Sequence, residues 1–171
     1  MELKKIYLKT DKLDLIILNA GVPHGGLIEL TKVDEIRKIF EVNYFSQVFI
    51  IQKLLRLLKK TKNSSIINIS SLSSLIPLRG NIAYGGSKAS INFCTKILAK
   101  ELKIYGIKVN AIAPTVLNNK MGKKTDINTA KFLLKSSLKN KKIDMKFVVN
   151  KILYLLSKKG NSINGKIIKV L

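Results

Sequence analysis

The chain has 171 residues, 46% of them hydrophobic, and a formal net charge of +22 from 32 Lys and Arg against 10 Asp and Glu. Its length suits one domain and its apolar content a sizeable core, which excludes a disordered chain. Apolar runs such as Val48 to Ile51 fall far short of the ~20 residues that span a bilayer, Met1 to Thr10 lacks a signal-peptide core, and one cysteine, Cys94, excludes a disulfide framework.

Residues Met1 to Lys12 read as the tail of a helix. The run Leu13 to Leu18 ends in Asn19-Ala20-Gly21, and its continuous apolar part, Leu15 to Leu18, reads as a buried parallel strand. The sole histidine, His24, follows in a loop and reads as a solvated side chain; no metal constellation is present. Thr31 with Asp34 resembles a capping box, and Val33, Ile36, Phe40, Val48, Ile51, Leu55 and Leu58 keep helical periodicity through a helix from about Thr31 to Lys59. That helix carries Phe40-Glu41-Val42-Asn43-Tyr44-Phe45.

Ile66 to Ile69 is the next strand and runs into Ser70-Ser71. A loop through Ser73, Ser74, Pro77 and Gly80 leads to a helix from about Ala83 to Tyr105, which opens with Tyr84-Gly85-Gly86-Ser87-Lys88. A strand from Ile107 to Ala113 is stopped at Pro114, the basic segment Lys120 to Lys142 follows, and Lys146 to Ser157 is a helix before a last strand, Lys166 to Val170. The alternation predicts an α/β fold: a parallel sheet of about four strands flanked by helices, one domain over 1–171, without repeats or linker.

Tyr84 and Lys88 are four residues apart and share a helix face, so the ammonium can lie beside the phenol and stabilise its anion. A free phenol titrates near ~10, and such a neighbour brings it toward usable proton transfer. Ser71, thirteen residues upstream, could hold a substrate carbonyl while Tyr84 supplies or removes the proton. Only that offset selects Ser71 over Ser70, Ser73 and Ser74.

Ser71, Tyr84-x-x-x-Lys88, Asn19-Ala20-Gly21 and Asn43, in this order, resemble the short-chain dehydrogenase/reductase family from about Leu13 to the last residue. Val109-Asn110-Ala111-Ile112-Ala113-Pro114 resembles the strand before the family's nicotinamide loop, and Ser162 to Ile168 its closing strand. The resemblance implies hydride transfer between the nicotinamide of NAD or NADP and an alcohol or ketone, possible carrier-linked substrates of the 3-oxoacyl type included. It implies catalytic roles for Asn43, Ser71, Tyr84 and Lys88: Tyr84 donates the proton, Ser71 positions the oxygen, Lys88 tunes the phenol and binds the nicotinamide ribose, and Asn43 relays protons through water. It also implies cofactor contacts from Asn19, Ala20, Gly21, Tyr84, Lys88, Pro114, Leu117 and Asn119. Asn19 would hold neighbouring strands as well. Where the family reads Pro-Gly, this chain has Pro114-Thr115, and Asn119 stands in for the usual Thr.

The family's glycine-rich turn, Thr-Gly-x-x-x-Gly-x-Gly, receives the cofactor pyrophosphate on backbone N–H groups, and no such turn occurs in these 171 residues. The expectation is therefore an N-terminally truncated relative, in which the first βαβαβ portion is absent. Alternatives to a stand-alone enzyme are a catalytically inactive remnant, a half-protein needing a complementing chain, or a basic binding protein on a retired enzyme scaffold. The resemblance implies a homo-oligomer formed through the two long helices. A reducing, cytoplasmic setting is expected, without a membrane partner. The positive charge would attract nucleic acid, acidic membranes or anionic metabolites. Yet the lysines are spread along the chain and accompany abundant Ile and Asn, as in a biased genome; no RNA-binding aromatic motif or zinc-finger spacing is present, so nucleic acid is not the expected partner.

Overall fold

The computed structural model of the chain describes residues 4–118, 122, 131, 133–135 and 142–171. Its elements are helix α1 (Lys4–Lys9), strand β1 (Leu15–Leu18), helix α2 (Val33–Phe40), a π-turn (Glu41–Phe45), helix α3 (Ser46–Leu58), strand β2 (Ser65–Ile69), helix α4 (Ile82–Glu101), strand β3 (Lys108–Pro114), helix α5 (Met145–Leu156) and strand β4 (Ile167–Val170). The strands form one parallel sheet in sequence order, β1-β2-β3-β4. Registers run from Leu15 opposite Ser65 to Pro114 opposite Val170. This is the α/β sheet that the alternation predicts.

Parallel strands need helical crossovers, which cover both faces and require apolar residues on both sides of the strand. Ile66 and Ile67 show this division. Ile66 packs with Ile16, Leu18, Val109 and the α3 residues Ile51, Leu54, Leu57 and Leu58. Ile67, pointing the other way, packs with Ile112, Val170 and the α5 residues Val148 and Leu155. Toward β1 this second face is thinly covered, and Ile17 is 42% exposed. Among the described residues β1 pairs with β2 alone, and no helix is long and apolar enough to cross a membrane.

Two local expectations change. The carboxylate that reaches back at the start of α2 belongs to Glu35, which accepts from Lys32 N at 3.1 Å. The Thr31 hydroxyl donates to Leu27 O at 2.9 Å, so the expected Thr31–Asp34 box is replaced by one a residue later. The helix expected to reach Tyr105 ends at Glu101 and tightens into a 3₁₀ turn, Lys103–Tyr105, before Gly106 reverses the chain at φ +70°. A side chain at Gly106 would strain that left-handed backbone. Gly106→Ala is expected to lower unfolding stability by about 1 kcal/mol in urea titration; an unchanged midpoint would show that the turn relaxes.

Candidate active site

Because every strand runs the same way, the carboxyl ends of β1, β2 and β3 deliver Asn19-Ala20-Gly21, Ser70-Ser71 and Pro114 to one end of the sheet. Ligands of open parallel sheets bind at that end. The amino-terminal end of α4 meets it there, and Asn81 shapes the approach: its Oδ1 accepts from Gly85 N at 3.2 Å and its Nδ2 donates to Ser73 O at 3.3 Å. A Cβ at Gly85 would lie 2.5 Å from Asn81 Nδ2, so glycine is what lets the serine loop sit against the helix.

Ser71 is the residue that faces Tyr84. Its hydroxyl pulls the Tyr84 pKa down, but the larger effect is burial, and the net shift is upward. The expected depression of the phenol by Lys88 is thus replaced by elevation, because removing a phenolate from water costs more than one neutral hydroxyl returns. Ser71 Oγ also lies 2.7 Å from Ser73 Oγ, a hydrogen bond that orients it.

Lys88 is 3% exposed. Its Nζ donates to Ile69 O at 2.8 Å, and burial lowers its pKa to about 8. The ammonium is therefore held by a strand-end carbonyl rather than by a carboxylate. Beside it a Cβ added to Gly21 would stand 3.1 Å from Lys88 Nζ and 3.3 Å from Asn43 Oδ1. The missing side chain leaves a cradle between the β1 end, the lysine and the π-turn.

Asn43 is fully buried in that π-turn. Its Oδ1 accepts from Val22 N at 2.8 Å, and its Nδ2 donates to Val22 O and to Ser87 Oγ, each at 3.0 Å. The Ser87 hydroxyl in turn donates to the backbone carbonyl of Tyr84 at 2.8 Å. The Asn43 side chain is a clamp that fixes the segment after Gly21 against the helix bearing Tyr84 and Lys88. π-Turns inside helices recur at functional sites, where they re-aim a side chain.

The structure thus gathers Gly21, Asn43 and Lys88 in one group and Ser71 and Tyr84 in another, joined through Ser87. Asn19 and Ala20 are exposed at the end of β1. Gln47, on α3, ties the helix to this strand end: its Nε2 donates to Ala20 O at 3.1 Å. Pro114 ends β3, where the next residue, Thr115, is buried and donates its N–H to Val170 O at 3.0 Å. Leu117 bridges to Ile143. Asn119 lies outside the described residues, as does most of the Lys120 to Lys142 segment. Gln47, Asn81 and Ser87 were not among the expected site residues; Ser87 sits inside the Tyr84 to Lys88 motif, and a polar residue on the buried side of a helix is the signal it offered. Among the described residues no group of His, Cys, Asp and Glu could hold a metal ion.

A serine–tyrosine pair and a buried lysine at the carboxyl ends of a parallel sheet place the chain among the Rossmann-like α/β proteins. The family model described as short chain dehydrogenase matches residues 2–130. The chain belongs to that family. It is 32% identical over 161 residues to an L-xylulose reductase of Homo sapiens, covering 92% of this chain and 66% of the relative. To a 3-oxoacyl-acyl-carrier-protein reductase, FabG, of Thermotoga maritima it is 27% identical over 167 residues, covering 98% and 68%. The fold matches the Pseudomonas aeruginosa RhlG/NADP active-site complex with a TM-score of 0.87 at 26% identity, over 98% of this chain and 68% of that one. The chain spans about two thirds of the length of these relatives.

Proposed function

We propose that the chain carries the proton-transfer and nicotinamide-ribose portion of an NAD- or NADP-dependent alcohol/ketone oxidoreductase. The observation that carries this reading is the buried Lys88 amine that faces the cradle at Gly21, beside a Tyr84 phenol on which the Ser71 hydroxyl acts. The residues present suit that half of a dinucleotide: the cradle at Gly21 is one a Cβ would fill, Lys88 can donate to ribose hydroxyls, and Pro114 and Leu117 follow on the neighbouring strand end. When bound, the nicotinamide would supply or accept the hydride. Tyr84 would hand its proton to the carbonyl oxygen, Ser71 would hold that oxygen, and Lys88 would favour the phenolate left behind. An elevated phenol keeps its proton at neutral pH, which suits the reductive direction. The names of the relatives, a sugar reductase and a carrier-protein reductase, support a carbonyl substrate, and the reducing cytoplasm is the compartment this reading adopts.

Calorimetric titration with NADH and NADPH tests the reading. Lys88→Ala is expected to weaken binding at least tenfold, the value of one charge-assisted hydrogen bond of about 1.5 kcal/mol, while Tyr84→Phe leaves it nearly unchanged and removes turnover of a carbonyl substrate. No binding by the folded chain would sink the stand-alone enzyme. It would favour a second reading, prompted by β1: the strand is paired on one side among the described residues and leaves Ile17 exposed, so a complementing polypeptide could add strands and the glycine-rich turn.

Self-association belongs to the same proposal. The outer sides of α3 and α4 expose Phe49, Phe93 and Ile97, and Phe45 lies beside them in the π-turn. Phe93 and Ile97 line one shallow hollow with Tyr44 of the π-turn, an apolar face that suits a second copy of the chain. Light scattering is expected to report a dimer that Phe93→Asp dissociates; a monodisperse monomer at micromolar concentration would count against it.

A further inference from the structure

We propose that the end of the sheet opposite the candidate active site is a docking surface for acidic phospholipid membranes. A wholly parallel sheet brings the segments that enter its strands to one end. The connection from α3 to β2 carries Lys59, Lys60 and Lys62, and the path from the last turn of α4 into β3 carries Lys100, Lys103 and Lys108; Glu101 is the sole acid among them. Helix-dipole compensation falls short as an explanation, since Lys60, Lys62, Lys103 and Lys108 lie beyond the helices whose ends they follow.

The two basic connections form one surface. Lys59 Nζ sits 3.6 Å above the Tyr105 ring, Lys108 N donates to Ser64 O at 2.9 Å, and Lys108 Nζ donates to the Asn161 side chain, joining the turn at 158–160 with two further lysines. At its centre the 3₁₀ turn presents Ile104, 80% exposed, and Tyr105, 42% exposed. An aliphatic side chain at the summit of a lysine patch has no use against phosphates of a nucleic acid, and the Tyr105 face that a base would stack on is taken by Lys59. Both features suit a membrane interface, where lysines meet headgroups and an apolar tip enters the acyl boundary. Short apolar runs exclude spanning, not lying on the surface. Docked this way, the chain would turn the carboxyl ends of its strands away from the lipid, toward solution. One charged turn, Lys100 and Glu101, separates Ile104 from Ile97 on the face proposed for self-association.

Flotation of the full chain with phosphatidylcholine vesicles, with and without phosphatidylserine, tests the proposal. Binding is expected only with phosphatidylserine and should fall with added salt. Each lysine near an anionic surface is worth about fivefold in partition, so K60Q/K62Q/K103Q should lose on the order of 100-fold, whereas K32Q/K38Q/K151Q, with the same loss of charge, should retain most of it. I104S should lose about tenfold from its apolar contact alone, with circular dichroism and scattering mass unchanged. Equal losses for the two triple variants would overturn the proposal, as would binding to pure phosphatidylcholine. So would an I104S variant that changes oligomeric state, or one that binds vesicles normally while K60Q/K62Q/K103Q abolishes retention on single-stranded RNA; the last would identify a nucleic-acid surface.

Discussion

Lys88→Met should raise the unfolding free energy by about 2 kcal/mol near neutral pH, although it removes the residue most central to the candidate site. Lys88 is 3% exposed, has a backbone carbonyl and no carboxylate as its partner, and titrates at about 8 rather than 10.5. A tenfold loss of proton affinity is worth about 1.36 kcal/mol, so burying the charge costs roughly 3 kcal/mol, and losing the hydrogen bond to Ile69 O returns about 1 kcal/mol of that. The sign follows from proton counting. Below about pH 8 both folded and unfolded chains carry the proton and the penalty is complete; between about 8 and 10.5 the unfolded state binds more protons, so the parent chain gains stability as pH rises. The advantage of Met should therefore be largest below about pH 8 and vanish near 10.5. Urea titrations of both proteins across that range measure it directly. A variant no more stable than the parent would mean that the amine is solvated, and the cradle at Gly21 wet.

Asn43→Ala acts in the opposite direction. It removes the bonds to Val22 N, Val22 O and the fully buried Ser87 hydroxyl together, three bonds made by one amide, while Ser87 keeps its bond to Tyr84 O. At about 1 kcal/mol for each lost bond, the expected loss is about 3 kcal/mol. Ser87→Ala alone should cost about 1 kcal/mol, and the double variant less than the sum, since the two share a bond. Hydrogen exchange at the Val22 amide should accelerate by the same free energy, provided that the segment opens locally. A loss below about 1 kcal/mol in Asn43→Ala would show that water replaces the amide, and would return Asn43 to the solvent-relay role that the family resemblance implies.

The strands were legible because each is an apolar run bounded by turn residues, and parallel burial on both faces leaves no other use for Ile66 and Ile67. Helix ends were less so. The reach-back carboxylate could have been Asp34 or Glu35, and sequence spacing does not decide which; the backbone entering α2 does. Tyr84, Lys88 and Ser71 were readable as a set because their spacing is local or tied to a strand end. The clamp made by Asn43 was not, because its partners, Val22 and Ser87, lie 21 and 44 residues away. Nor could the upward shift of the Tyr84 phenol be read from Lys88 in register, since burial is a property of the packed molecule. The meeting of two basic connections around Ile104 is likewise invisible until the sheet is known to be wholly parallel.

The π-turn at Glu41–Phe45 also settles a matter of phase. Ile39, Asn43, Gln47 and Ile51 are all buried, yet they recur at a spacing of four residues. At about 100° per residue an uninterrupted α-helix would swing the last of them about 120° away from the first. The wider turn absorbs that drift and lets α2 and α3 address the same interior as though they were one rod. The π-turn is consequently where the rod accommodates one extra residue: deleting a single residue there would heal the helix and leave Ile39 and Ile51 only about 20° apart in phase, so the buried face would persist through the rest of the rod.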